Sequence, residues 1–160
     1  MDMVVHTIPP VFDERSEILI LGSFPSVKSR EQAFFYGHPQ NRFWKVVSGV
    51  FNQPTPYTIA EKKAFLLNNK IAVWDVIGQC EIQGSSDSSI KDVTANDLSV
   101  ILNNAPVKRI FVNGKTAEKY YKLYLEKATK IKAICLPSTS PANATQSLEK
   151  LIEQWKIIRI

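Results

Sequence analysis

Asn41 stands in the stretch FYGHPQNRFW, Phe35 to Trp44, where aromatic rings, a histidine, a proline and an amide crowd together just before an apolar, helix-like run. A core segment has no use for so many hydrogen-bonding groups in a row. Two tasks suit Asn41. As one of the best N-cap residues it can start the helix that RFWKVV announces, or it can hold a water molecule against a bond to be cut. Further polar groups collect in GSFPS (22–26), at Asp75, in VNGKT (112–116) and in LPSTSPAN (136–143).

Several familiar chemistries fail on these residues. NGKT looks like the tail of a phosphate-binding loop, but the pattern requires glycine where Arg109 stands. No G-x-G-x-x-G follows a strand-like run, so a dinucleotide site is unsupported. The serines lack the G-x-S-x-G elbow, and with only His6 and His38 a Ser-His-acid triad has little material. Two histidines and two distant cysteines, Cys80 and Cys135, give no zinc spacing. The reaction is expected to run without metal or nucleotide cofactor.

The elements that must carry these groups alternate in type. Near-continuous apolar runs at ILILG (18–22), IAVWDV (71–76), RIFVNG (109–114) and IKAICLP (131–137) suit strands buried on both faces of a parallel sheet. Helix-like stretches lie between and after them: 43–51, 59–69, 96–104, 116–128 and 144–155. This order predicts a three-layer α/β/α domain with a central four-stranded parallel sheet and right-handed crossovers, one domain over residues 1–160. Thr94 with Asp97 reads as a helix cap, and GSSDSS (84–89) as a polar loop. Open parallel sheets bind ligands beyond the carboxyl ends of their strands. All the unusual chemistry therefore gathers on one rim, and the long first connection, 23–40, is expected to be functional.

The chain has 160 residues, 44% hydrophobic and 22% charged, as in an ordinary soluble globular protein. No apolar run spans a bilayer, and the N-terminal residues show no secretion signal. The cysteines form no disulfide framework and read as plain buried residues, so a cytoplasmic location is expected. The net charge of +5 permits a polyanionic partner without demanding one. Nothing asks for more than a monomer.

Taken together, GSFPS, FYGHPQNRFWKVV and LPSTSPAN resemble the uracil-DNA glycosylase superfamily, closest to its hypoxanthine-DNA glycosylase branch, with the mismatch-specific uracil glycosylases next. The motifs run in the family's order from Leu19 to Ala144. The resemblance implies a DNA glycosylase acting on DNA that contains a deaminated base, and the lack of an obvious lysine nucleophile at the rim, where Lys115 alone is worth checking, gives it one activity with no lyase step. Hypoxanthine comes first, uracil or xanthine second. Such an enzyme flips the base out of the duplex, at a cost of a few kcal/mol, and attacks an oxocarbenium-like sugar with a well-placed weak nucleophile.

The resemblance also assigns residues. Most of the superfamily carries Asp or Asn where this chain has Phe24, and a phenyl ring can neither activate nor orient water. That duty passes by resemblance to Asn41. An amide is no strong base, so Asn41 would orient the water by accepting one hydrogen bond. Tyr36 aligns with the aromatic that stacks on the flipped base, Phe24 forms the other wall, and Gly22 and Ser23 offer backbone groups. Gly37 leaves room beside the base. Asp75 stands where uracil enzymes read the pyrimidine edge with an amide. It would accept N1–H of hypoxanthine, or else serve as a turn cap. Ser138 stands where uracil enzymes place the histidine that stabilises the leaving base. Ser140, Pro141, Ala142 and Asn143 contact DNA or wedge into it, although Asn143 could equally cap the last helix. Ser26, Ser85, Ser86 and Lys115 are candidates for phosphate contacts near helix starts. Loss of the usual acid at Phe24 leaves one alternative, a nucleic-acid or nucleotide binding domain of the same fold without catalysis.

Overall fold

The computed structural model describes residues 3–159. Its elements run β1 (Met3–Val5), β2 (Ile18–Gly22), α1 (Val27–Gln32), α2 (Phe43–Val50), α3 (Ile59–Asn68), β3 (Ile71–Asp75), β4 (Ile77–Glu81), β5 (Lys91–Ala95), α4 (Ser99–Leu102), β6 (Arg109–Asn113), α5 (Lys115–Tyr124), α6 (Glu126–Thr129), β7 (Ala133–Leu136) and α7 (Leu148–Trp155). The four expected strands form one sheet in the order β3-β2-β6-β7. All three pairings are parallel, with helices on both faces, which makes a three-layer α/β/α arrangement.

Side-chain alternation explains the layers. Ile18 and Ile20 of β2 join Ile71, Val73 and Phe111 on one face, against Val46, Val47, Phe65, Leu66, Leu151 and Trp155 of α2, α3 and α7. Leu19 and Leu21 join Ala72, Ile110 and Val112 on the other, against Ile101 of α4 and Ala117 and Tyr121 of α5. Each buried aliphatic side chain contributes about 1.5–3 kcal/mol, and the sheet is fixed from both sides. Its carboxyl ends are level: Gly22 pairs with Asp75, and Asn113 with Leu136.

A second sheet was not expected. β4 leaves β3 after Val76 and pairs antiparallel with both β1 and β5. Residues 84–89, read as a polar loop, are the turn between β4 and β5 and end in a 3-10 turn at Asp87–Ser89. The expected Thr94–Asp97 cap is absent, because Thr94 lies in β5 opposite Gln79. Asp97 Oδ1 alone accepts from Ser99 N, at 3.0 Å.

The long first connection contains α1, capped by Ser26. The helix expected over 116–128 is broken at Leu125, and the one expected at 96–104 shrinks to four residues. The last helix starts at Leu148, capped by Ser147 rather than Asn143. No helix among the described residues is long and apolar enough to cross a membrane.

Candidate active site

Above the carboxyl ends of β2, β3 and β6 opens a cavity of about 560 Å³, within the usual range for small-molecule sites. The β2–α1 connection (Gly22 to Ser26), the Phe35–Asn41 loop, Asp75, the 85–88 turn, Asn113 and the Ser138–Ala142 loop all contribute to its wall. Gly37, Lys115 and Asn143 do not line it. Removal of a side chain at Gly37 makes room for Gln32, whose Oε1 would lie 2.5 Å from a Cβ there, so the expected space beside a base is a packing requirement of α1. Asn143 instead closes its own loop, donating from Nδ2 to Ser138 O at 2.9 Å.

Arg42 holds the N-cap position of α2 with no side-chain cap bond, and the start of the helix is served instead by Asn41, one residue earlier. Asn41 Oδ1 accepts from Phe43 N at 2.9 Å, which satisfies the first turn of α2. The same oxygen accepts from Thr139 Oγ1 at 2.9 Å. Thr139 is fully buried and is held in turn by Asn113, whose Nδ2 donates to Thr139 Oγ1 and whose Oδ1 accepts from Thr139 N, each at 3.0 Å. The chain of donors runs Asn113 to Thr139 to Asn41 and fixes the amide orientation. With both acceptor directions of Oδ1 in use, Asn41 has no ready acceptor for a water. Its Nδ2 is the free group, a donor on a residue of the cavity wall. Sequence reasoning missed Thr139 and Asn113, because their partners lie 98 and 26 positions away.

Tyr36 stacks one face on Phe43 of α2, with centroids 4.0 Å apart and planes at 11°. Its backbone is left-handed, φ 52°, a strained state for a bulky residue and one that collects at functional sites. Its hydroxyl is buried with no hydrogen-bond partner among the described residues. Burial first and the Asp75 charge second push the phenol up, while nearby Asn113 pulls the other way without meeting hydrogen-bond geometry.

Asp75 is buried and ends β3 opposite Gly22. Its Oδ2 accepts from His6 Nε2 at 2.8 Å, and the His6 ring is enclosed by Phe24, Phe35 and Trp74. His6 follows β1 and reaches Asp75 across 69 positions, so nothing local announced it. Asn96 Nδ2 donates to Asp75 O at 2.9 Å and pins the same corner. A methyl at Gly22 would collide with Asp75 Oδ1 and stand 3.1 Å from the Tyr36 hydroxyl. Gly22→Ala is therefore expected to cost about 1–3 kcal/mol by overpacking, read as a lower thermal midpoint. An unchanged midpoint would show that the corner yields freely.

Ser138 lines the cavity, its Oγ accepting from Ser140 N at 3.0 Å. It packs close over Gly114, whose φ of 96° and lack of a side chain both serve the approach: a Cβ there would lie 3.1 Å from Ser138 Cβ. Pro141 and Ala142 form the exposed tip. Arg42 ties this loop to α2, donating to Gln146 O at 2.6 Å and Asn143 O at 2.8 Å. Arg42→Ala should cost about 1–3 kcal/mol and speed amide exchange across 138–147; protection that stays unchanged would contradict the tie.

Opposite Ser138, Ser85 Oγ accepts from Val27 N at 2.9 Å and Ser26 Oγ caps Ser29 N at 3.1 Å, so both hydroxyls already build the wall. Lys115 is the first residue of α5. Asp87, exposed at the mouth, accepts from Ser23 Oγ at 3.1 Å. Partial desolvation and the Asp75 charge push its carboxyl up, against the hydroxyls of Ser23 and Thr116.

The chain is similar to known proteins in sequence and in fold. The profile described as the uracil DNA glycosylase superfamily covers residues 9–159. A Methanosarcina acetivorans protein named hypoxanthine DNA glycosylase is 36% identical over 158 residues, 98% of each chain. One from Methanosarcina barkeri with the same name is 37% identical over 114 residues, 70% of this chain and 72% of its own. A solution NMR structure from Methanosarcina acetivorans, provisionally described as a uracil DNA glycosylase, superposes with a TM-score of 0.79 at 32% identity, covering 96% of this chain and 97% of that one.

Proposed function

The chain belongs to the uracil DNA glycosylase superfamily, and from that premise we propose that it hydrolyses the N-glycosidic bond of a flipped-out deaminated base in DNA, hypoxanthine first, with uracil or xanthine as lesser substrates. The observation that carries this reading is that Asn41, Tyr36 and Ser138 line one cavity. A mere helix cap would not need to face the stacking ring and the loop that closes over it.

In this reading the base lies on Tyr36, whose opposite face is backed by Phe43, with Phe24 as the second wall. Base–aromatic stacking is worth about 1–3 kcal/mol. Asp75 keeps Oδ2 on His6 and offers its other oxygen to N1–H of hypoxanthine. Asn41 Nδ2 donates to the attacking water, which leaves a lone pair of that water for C1′ of the oxocarbenium-like sugar. Ser138 offers its hydroxyl to the departing base. Ser140, Pro141 and Ala142 meet the duplex where the base has left, and Ser26, Ser85 and Lys115 take phosphates. The enzyme acts as a cytoplasmic monomer, one domain over residues 1–160, without metal or cofactor.

The test is a set of end-labelled duplexes carrying a single hypoxanthine, uracil or xanthine, treated with the protein and then with alkali. Breaks fastest at hypoxanthine support the reading. Breaks fastest at uracil would overturn the role given to Asp75.

A further inference from the structure

The charge on the cavity wall is one-sided. Asp75 and Asp87 both line it, and no lysine or arginine does among the described residues. Arg30 donates to Gly84 O at 2.6 Å and lies over the Phe24 ring. His38 also lines the wall, but its Nδ1 accepts from Gln40 N at 3.1 Å.

Such a wall is badly built to expel an anion. A base that departs with the bonding electron pair and no proton carries a negative charge into a site already lined by two acidic side chains, of which Asp75 is buried, where repulsion is poorly screened. A base that takes up a proton first leaves neutral, and a partly positive base is attracted to the same wall. Uracil departs through N1 and has no basic ring nitrogen to protonate. Hypoxanthine has N7, the most basic ring nitrogen once N9 bears the sugar.

We propose that Asp87 is the acid that protonates N7 of the flipped hypoxanthine, so that the base leaves the sugar neutral. The inference rests on the glycosylase reading above. Asp87 Oδ1 is held by Ser23 Oγ, which leaves Oδ2 to carry the proton. The Asp87 O–H bond breaks as the N7–H bond forms. The C1′–N9 electron pair goes to the base, and water oxygen bonds to C1′ and loses its proton to solvent. Asp87, exposed at the mouth, is reprotonated from solvent.

The surroundings favour the acid form. Desolvation raises the Asp87 carboxyl most, Ser23 and Thr116 oppose it, and the charge of Asp75 at the end of β3 adds a smaller rise. Cys80 of β4 and Tyr120 of α5 are the other titratable groups that feel its charge, and Arg30 of α1 acts on the same corner through Cys80. Excision should therefore be complete on the acid side and fall as pH rises through the Asp87 value in the complex.

The experiment is single-turnover excision of hypoxanthine and of 7-deazahypoxanthine by the wild type and by Asp87→Asn, across pH. Asn keeps the oxygen that Ser23 holds. Asp87→Asn is expected to slow hypoxanthine excision about 100-fold and to remove the fall at higher pH. The wild type should be comparably slow on 7-deazahypoxanthine, with no further loss from Asp87→Asn. Equal slowing of both substrates by Asp87→Asn, or none, overturns the role. Wild-type excision of 7-deazahypoxanthine as fast as hypoxanthine overturns it with no variant at all, so misfolding of Asp87→Asn cannot hide the answer. If the wild type releases no hypoxanthine, the glycosylase reading falls and takes this inference with it; loss confined to the Asp87 tests leaves that reading standing.

Discussion

Asn41→Ala should reduce hypoxanthine excision by on the order of 100-fold or more while leaving affinity for lesion-containing duplex nearly unchanged. The basis is that the Asn41 amide cannot turn. Phe43 N and Thr139 Oγ1 both donate to Oδ1, so Nδ2 keeps one direction without help from the substrate. A water placed by such a group needs no reorganisation when the sugar develops charge. The variant also loses a cap. That costs about 0.5–2 kcal/mol and lowers the thermal midpoint by a few degrees, too little to empty the folded state at assay temperature. The two duties of Asn41 are thus separable by size. Equal losses in binding and turnover would mean that Asn41 holds DNA or structure and not water.

Asp75→Asn should change which base is chosen. His6 Nε2–H donates to one oxygen of Asp75, and in the variant it would keep the amide oxygen for itself. The NH2 group would then face the cavity, where hypoxanthine N1–H also donates. Two donors meet, and the hydrogen bond to a charged acceptor is lost. Such a bond is worth about 1.5–3 kcal/mol, which is roughly 10–100-fold in kcat/KM for hypoxanthine. Uracil, whose carbonyl oxygen can accept from the new amide, should suffer less. The checking measurement is the ratio of kcat/KM on hypoxanthine to that on uracil. A ratio that does not move would reduce Asp75 to a turn-stabilising acid.

Strands β2, β3 and β6 were legible because both their faces are buried, which leaves apolar runs with no polar gap, while β7 at the sheet edge is half exposed and was legible from its short apolar run alone. β4 was not. It continues the apolar run of β3 through Val76, and nothing in IAVWDVIGQCE marks the point where one sheet gives way to the other. β1 has three residues and, among the described residues, pairs through β4 alone, so its role appears once the chain is folded.

The same division holds at the site. Gly22 and Asp75 end strands β2 and β3, Phe24, Tyr36, Asn41 and Ser138 sit in loops beyond strand ends, and all line the cavity. His6, Asn113, Thr139 and Arg42 act through partners distant in sequence, and each looks ordinary in its own neighbourhood. Gly37 misled for the opposite reason. Its type suits open space, but Gln32 determines what surrounds it.

The central claim is most directly tested by looking for the free base. The protein would be incubated, without added metal, with a duplex carrying one hypoxanthine, and the small-molecule fraction analysed by mass spectrometry beside an Asn41→Ala control. The account predicts free hypoxanthine, matched by one abasic site per base released, with the control at least about 100-fold slower. A wild type that binds the duplex and releases no base would contradict it and make the protein a binding module of the same fold.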